Sequence, residues 1–227
     1  MKRKLAVLML VTLSLACLTC EAETHRVHFV AGPPSHGWGK HEHVKGCEVL
    51  SRALNASDLN VEATVHTNGF PAPGVLAGAR AVVLFSDGGK SHVARGHSED
   101  LRRLSRSGCG LAVLHYALMP DGDGMAAVLT ASLGGCYEPG WSVNPIWTPR
   151  RPILAEHAAT RGVKPFELED EWYYHMRYVK DLQGVTPLLS AVPPRETVSP
   201  QDGPHTGNPA ARKAVAAGIP QHLAWAY

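Results

Sequence analysis

No glycine-rich phosphate loop of the GxGxxG or GxxxxGK[ST] kind occurs in the chain, nor a GxSxG turn. Nothing in it therefore marks a nucleotide cradle or the nucleophile elbow of an α/β-hydrolase. An excess of one charge is missing too. Lys and Arg number 22 against 20 Asp and Glu, a net charge of +2, which is too little to steer the protein to nucleic acid or to an anionic membrane surface. The apolar stretch Leu5–Leu18 is too short for a membrane span, so none is expected in the mature chain. There is no internal repeat and no low-complexity tract, and 227 residues with 44% hydrophobic content suit one ordinary domain.

The N-terminus carries a leader signature. Lys2, Arg3 and Lys4 form a basic head, Leu5–Leu18 an apolar body, and Cys20-Glu21-Ala22 a small-x-small cleavage site. Residues 1–22 are expected to be a signal peptide cut after Ala22, with residues 23–227 as the mature domain, periplasmic or secreted. A lipoprotein acylated at Cys17 or Cys20 is the lesser alternative, because the residues before each fit a lipobox poorly. Cleavage leaves Cys47, Cys109 and Cys136. Three is odd, so at least one thiol stays free, and buried small hydrophobes are the expected role for Cys47 and Cys109.

The elements read as an α/β alternation. Arg26–Ala31 is a first strand; a helix over about His43–Leu54 shows Val44, Cys47, Leu50 and Leu54 at helical spacing; Val61–Val65 is a second strand and Ala81–Phe85 a third. Ser98 opens a second helix as its cap, with Glu99 and Asp100 in the first turn and Gly108 as the left-handed stop. Leu111–Leu114 then reads as a strand buried on both faces. Short apolar strands separated by helices predict a doubly wound, mostly parallel sheet with helices on both faces. Beyond Tyr116 the pattern loosens into long loops. Val185–Leu189 is a weak strand whose proline suits an edge or bulge, Ser199–Pro209 is turn-rich, and Leu223–Ala226 starts a strand near the chain's end.

Thirteen histidines are many for this length, and several fall just past strand carboxyl ends, where open α/β sheets bind ligands. His36 and His41 follow the first strand, Asp87 the third and His115 the fourth, while Glu169–Arg177 supplies Glu171 and His175. Imidazole nitrogens with carboxylate oxygens suit zinc or a similar divalent ion, and without metal they suit acid–base chemistry. Each has a plainer reading. Asp87 before two glycines is equally placed to build a turn. His43, two residues from His41, reads as a surface residue. Glu171 and His175, four apart, share a face only on a helix. His92, His97, His157 and His222 read as surface.

The chain resembles the ThuA-like family, named for trehalose utilisation. The matching segments are Ser35-His-Gly37 with His41-Glu42; Phe85-Ser-Asp-Gly-Gly89; Leu114-His-Tyr-Ala117; Gly134-Gly135 with Tyr137-Glu138; Trp141-Ser-Val-Asn-Pro-Ile-Trp147; Arg161-Gly-Val-Lys-Pro-Phe166; Asp170-Glu-Trp-Tyr-Tyr-His-Met-Arg177; and Asp202-Gly-Pro-His205 with Gly207-Asn-Pro209. The resemblance implies a flavodoxin-like fold related to class I glutamine amidotransferases, with His115 where those relatives carry a nucleophilic cysteine, so amidotransferase chemistry is not expected. It implies a role in disaccharide or glycoside breakdown. It also implies a further strand, loop and helix after Ala226, so a C-terminal truncation is expected.

The combined expectation is a metal-assisted conversion (isomerisation, elimination or hydrolysis) of a keto-sugar or keto-glycoside such as oxidised trehalose. A divalent metal, zinc foremost, is expected on His36, His41, His115 and Glu171. His115, Glu171 and His175 are the expected catalytic residues. Asp87, Trp141, Asn144, Trp172, Tyr173 and His205 are the expected contacts to the small-molecule carbohydrate. Two rivals are a non-catalytic sugar-binding module, with Trp38, Trp141, Trp147, Trp172 and Tyr173 as stacking surface, and a truncated member without function.

Overall fold

A computed structural model describes residues 23–122 and 124–227. The leader and its cleavage site lie outside the described residues. The first half builds β1 (His25–Ala31), α1 (His43–Asn55), β2 (Val61–His66), β3 (Ala81–Phe85), α2 (Ser98–Arg106) and β4 (Gly110–Leu114). The four strands form one parallel sheet in the order β2-β1-β3-β4. The chain leaves β1 toward one edge and β3 toward the other, so the gap between their carboxyl ends is a topological switch point, where such sheets bind ligands.

The core is built as the strand pattern predicts, with two corrections. Val30, Val82 and Leu84 are fully buried and pack with Leu76, Leu101 and Leu129. However, β4 has a partner on one side only, and Gly110 and Ala112 along it are exposed. The expected two-faced burial is not met: an apolar composition marks a strand without saying how many neighbours cover it. On α1 the buried stripe is His43, Cys47 and Ser51, whereas Leu50 is 42% exposed. α2 begins at Ser98 with His97 at the cap position, its Nδ1 bonded to Asp100.

The second half is richer in structure than its sequence suggests. α3 (Met125–Leu133) packs Met125, Val128, Leu129 and Leu133 into the core. Then come the short strands β5 (Gly135–Cys136), β6 (Ile146–Trp147), β7 (Ile153–Leu154), β8 (Asp170–Glu171) and β9 (Arg177–Tyr178), followed by β10 (Thr186–Ala191), α4 (Pro209–Ala216) and β11 (Gln221–Ala226). β10 is the middle strand of an antiparallel sheet in the order β11-β10-β7, and the register slips between Pro187 and Leu189. The proline thus sits at an irregularity, where its missing N–H costs least. Asn208 caps α4 by accepting the Ala211 amide, with Pro209 at the first helical position. β6 pairs with β8, placing Ile146 opposite Glu171.

All three cysteines of the described residues are free and buried. Burial pushes the Cys47 thiol up to about 11, so it stays protonated and behaves as a small hydrophobe. No helix among the described residues is long and apolar enough to cross a membrane.

Candidate metal centre

Three segments converge at the switch point. The loop after β1 brings His41, the loop after β3 brings Asp87, and the turn His115–Leu118 after β4 brings His115. Across them lies Glu171 on β8. His41 Nε2 is 3.3 Å from His115 Nε2, and His115 Nε2 is 3.3 Å from Glu171 Oε2. One donor atom each from His41, His115 and Glu171 lies within 4.8 Å of the others. All three are half-buried, so the centre is shielded yet reachable.

The surroundings aim these atoms. His41 Nδ1 donates to Asp87 Oδ1 at 2.7 Å, which leaves Nε2 as the lone-pair atom facing His115. Ser35 Oγ–H donates to the same carboxylate oxygen at 2.8 Å. Burial raises the Asp87 pKa, but the bonds from His41 and Ser35 outweigh it and the net shift is downward. Glu171 behaves alike: burial pushes its pKa up, and the hydrogen bonds of His115 and Tyr173 pull it below the usual carboxylate value. Asn144 Nδ2 holds Glu171 Oε1 at 3.0 Å, and the Tyr173 hydroxyl donates to Oε2 at 3.3 Å. Burial and the Glu171 charge raise the Tyr173 phenol far above its ordinary value, so it keeps its proton.

Two of the imidazoles sit on strained backbone. His36 has φ 59° and His115 φ 54°, the left-handed region that costs a non-glycine residue on the order of 1 kcal/mol. At His115 the reversal turns the side chain from the strand direction into the crevice. Such conformations persist where the surrounding packing over-determines them. Gly88 supplies part of that packing: a Cβ there would lie 2.8 Å from Met119 Cβ and would strike the Tyr116 carbonyl, so the Asp87 loop and the His115 turn press on each other backbone to backbone.

The other sequence candidates divide. His36 is brought to the crevice but on the Asp87 side, grouped with His41 and Asp87 rather than with His115 and Glu171. Its side chain is 52% exposed. The pairing of Glu171 with His175 on a helix is corrected: residues 170–171 are a strand, and His175, at φ 56°, bonds its Nδ1 to the Trp141 carbonyl and stacks 4.3 Å from the Trp141 ring. Burial lowers the His175 pKa. Trp141 is also covered by Arg177, 3.7 Å above its ring, and Arg177 holds Glu138 through two bonds. His205 Nδ1 meets the Tyr137 hydroxyl at 2.9 Å, and its carbonyl accepts the Asn144 amide. Asn144, Tyr173 and His205 thus brace Glu171.

Trp147 and Tyr173 are buried, which removes them as an open stacking surface; Trp38 is 96% exposed. Trp172 bonds the Leu168 carbonyl through Nε1 and, with Tyr173, borders a cavity of about 670 Å³ that opens beside His115 and Glu171. Leu111, Met176 and Trp225 form part of its apolar wall.

Three roles were not foreseen. His43 is fully buried, its Nδ1 bonded to the Pro33 carbonyl and its Nε2 3.7 Å from Asp87 Oδ1. The helix it opens packs on the sheet, and periodicity from Cys47 back by four was the signal available. His92 is buried against Ala117. Tyr116, next to His115, stands with its ring 6.2 Å from His36 and 6.0 Å from His41. Burial, then the Asp87 and Glu171 charges, raise its phenol.

The donor set fits a divalent cation. Two imidazole nitrogens and one ionised carboxylate from separate elements leave an open position, the pattern of catalytic zinc sites, and a carboxylate backs one histidine, as metal-bound imidazoles require.

Compared with curated proteins, the chain matches none. Among solved structures it is similar to one described as a ThuA-like protein, from Bacteroides uniformis. The two share 15% identity over 81% of this chain and 77% of that one, at TM-score 0.52, a likeness of fold. The family model for ThuA, trehalose utilisation, matches residues 27–211, and that span carries His36, His41, Asp87, His115 and Glu171: the chain belongs to the ThuA family of trehalose utilisation.

Proposed function

We propose that this protein processes an oxidised (keto) sugar or keto-glycoside, of which oxidised trehalose is the representative, with a divalent cation, zinc foremost, held by His41, His115 and Glu171. Membership of the ThuA family supports the carbohydrate class. The observation that carries the chemistry is the meeting of His41 Nε2, His115 Nε2 and Glu171 Oε2 within 4.8 Å. When bound, the cation supplies a Lewis acid for the sugar's carbonyl oxygen, which acidifies the neighbouring C–H. Isomerisation, elimination of the glycosidic substituent and hydrolysis following it all begin with that proton.

The residues do the remainder. Asp87 holds His41 in one tautomer by accepting from Nδ1. Asn144 and Tyr173 fix the two oxygens of Glu171, so the carboxylate meets His115 without reorganising. Tyr116 keeps its proton near neutrality and is placed to donate a hydrogen bond to a sugar oxygen at the crevice. The cavity beside His115 gives the sugar room, within the size range of ligand pockets. The expected address is the periplasm or the exterior, from the leader alone.

The test is deuterium exchange. Zinc-loaded protein in D2O with 3-keto-trehalose should place deuterium beside the carbonyl, read by NMR, and His115→Ala or Glu171→Gln should reduce the rate at least 100-fold. Zinc-loaded protein that leaves the keto-sugar unlabelled and uncleaved would sink the catalytic reading in favour of a binding module.

A further inference from the structure

A second set of donor atoms meets on the opposite nitrogen of the same imidazole. His41 presents Nε2 to His115 and Nδ1 to Asp87. Around Asp87 Oδ1 stand His41 Nδ1 at 2.7 Å and His36 Nδ1 at 3.7 Å. One donor atom each from His36, His41 and Asp87 lies within 4.8 Å of the others, as in the first centre. The space between them is held by a single hydroxyl: Ser35 Oγ is 2.8 Å from Asp87 Oδ1, 2.8 Å from His36 Nδ1 and 3.2 Å from His41 Nδ1. One hydroxyl hydrogen serves one of these acceptors at a time.

The backbone is shaped to make this meeting. His36 takes φ 59°, and its ring lies 4.1 Å from the His41 ring rather than turning out to solvent. Gly37 and Gly39, both at positive φ, carry the chain back so that Ser35 bridges to His41. From the buried side, His43 Nε2 faces Asp87 Oδ1 at 3.7 Å with no hydrogen-bond partner. Its Nδ1 donates to the Pro33 carbonyl, so a neutral ring turns a lone pair toward the carboxylate. Two electron-rich atoms facing each other in a buried place are stabilised by positive charge set beside them.

We propose that the protein binds a second divalent cation, through His36 Nδ1, His41 Nδ1 and Asp87 Oδ1, so that His41 bridges two centres by its two ring nitrogens. Binding there displaces the hydrogen on His41 Nδ1 to solvent, and the exposed face of His36 leaves positions for water. Two imidazoles and a carboxylate select zinc or a similar borderline ion over calcium or magnesium. This centre stands on its own donor set and touches the catalytic reading only through His41.

The experiment counts metal. The mature chain is stripped with chelator, equilibrated with excess zinc, desalted and analysed by mass spectrometry of the elements, with circular dichroism as the check on folding. Two zinc ions per chain are expected. His36→Ala and His115→Ala should each retain one, and His41→Ala should retain none; His36→Gln, which keeps a polar side chain on this half-exposed position, should repeat His36→Ala. One zinc in the parent, unchanged by His36→Ala and lost with His115→Ala, overturns the second centre and leaves the first. One zinc lost with His36→Ala and kept by His115→Ala supports this centre and removes the cation from the catalytic reading. No zinc in the folded parent overturns both.

Discussion

Asn144 reaches 27 residues along the chain to hold Glu171, its Nδ2 donating to Oε1 at 3.0 Å. The contact leaves the second carboxylate oxygen for His115, and it is made possible by the β6–β8 pairing, which sets Ile146 opposite Glu171. Groups that hold a metal-binding side chain in place cost 10–100-fold in affinity when removed. Asn144→Ala is therefore expected to weaken zinc binding about 10-fold with little change in melting temperature, measured by competition with a chromogenic chelator.

Tyr173 acts on the other oxygen of the same carboxylate. Tyr173→Phe keeps the ring, which packs with Met119, Tyr137 and Met176, and deletes only the hydroxyl. Stability should change by less than about 1.5 kcal/mol, the range for a volume-conserving swap, while zinc affinity falls. A loss of fold instead would show that the hydroxyl serves packing rather than the carboxylate.

His92 makes the protein sensitive to acid. Its Nε2 lies 2.9 Å from the Ala117 carbonyl, and its Nδ1 accepts the Ala94 amide. Only a neutral ring protonated at Nε2 satisfies both bonds. Burial lowers its pKa, as it does for His43 and His28. The unfolded chain thus binds more protons below about 6.5, so the stabilisation is complete above that pH and is lost as pH falls through the lowered native values. Thermal denaturation at pH 7.5 and 5.5 should show a lower midpoint in acid. His92→Ala should cost about 2 kcal/mol at pH 7.5, from a vacated buried site and two orphaned backbone groups, and should flatten the pH slope.

Gly88 tests the packing that bends His115. A side chain there meets Met119 and the Tyr116 carbonyl. Gly88→Ala should destabilise by about 1–3 kcal/mol, as overpacking does, and should reduce zinc retention by shifting the turn. Gly37→Ala is the control: it has open space around it but a φ of 87°, so its cost is conformational and local.

Much of this could be read along the chain. The parallel strands and their order of use follow from short apolar runs separated by α1 and α2, and the placing of His36, His41, Asp87 and His115 past strand ends follows with them. α3 and α4 were not legible. α3 is apolar nearly all round, so no stripe marks it, and α4 is small, starting from a turn-like Asn-Pro. His43 misread as a surface residue because its neighbours in sequence are polar; its burial is decided by where α1 lands on the sheet. Glu171 and His175 misread as a pair because a spacing of four means contact only on a helix, and here the backbone is a strand followed by a left-handed turn.

The amino-acid order alone determined the strand–helix alternation and the family, because both are local patterns of apolar periodicity and motif. Which histidines share a centre was decided only by tertiary structure. Hydrogen-bonding distances of about 3 Å between His41, His115, Asp87 and Glu171 depend on strand order, on the left-handed reversal at His115 and on the β6–β8 pairing, and none of these is written in the spacing of the residues themselves.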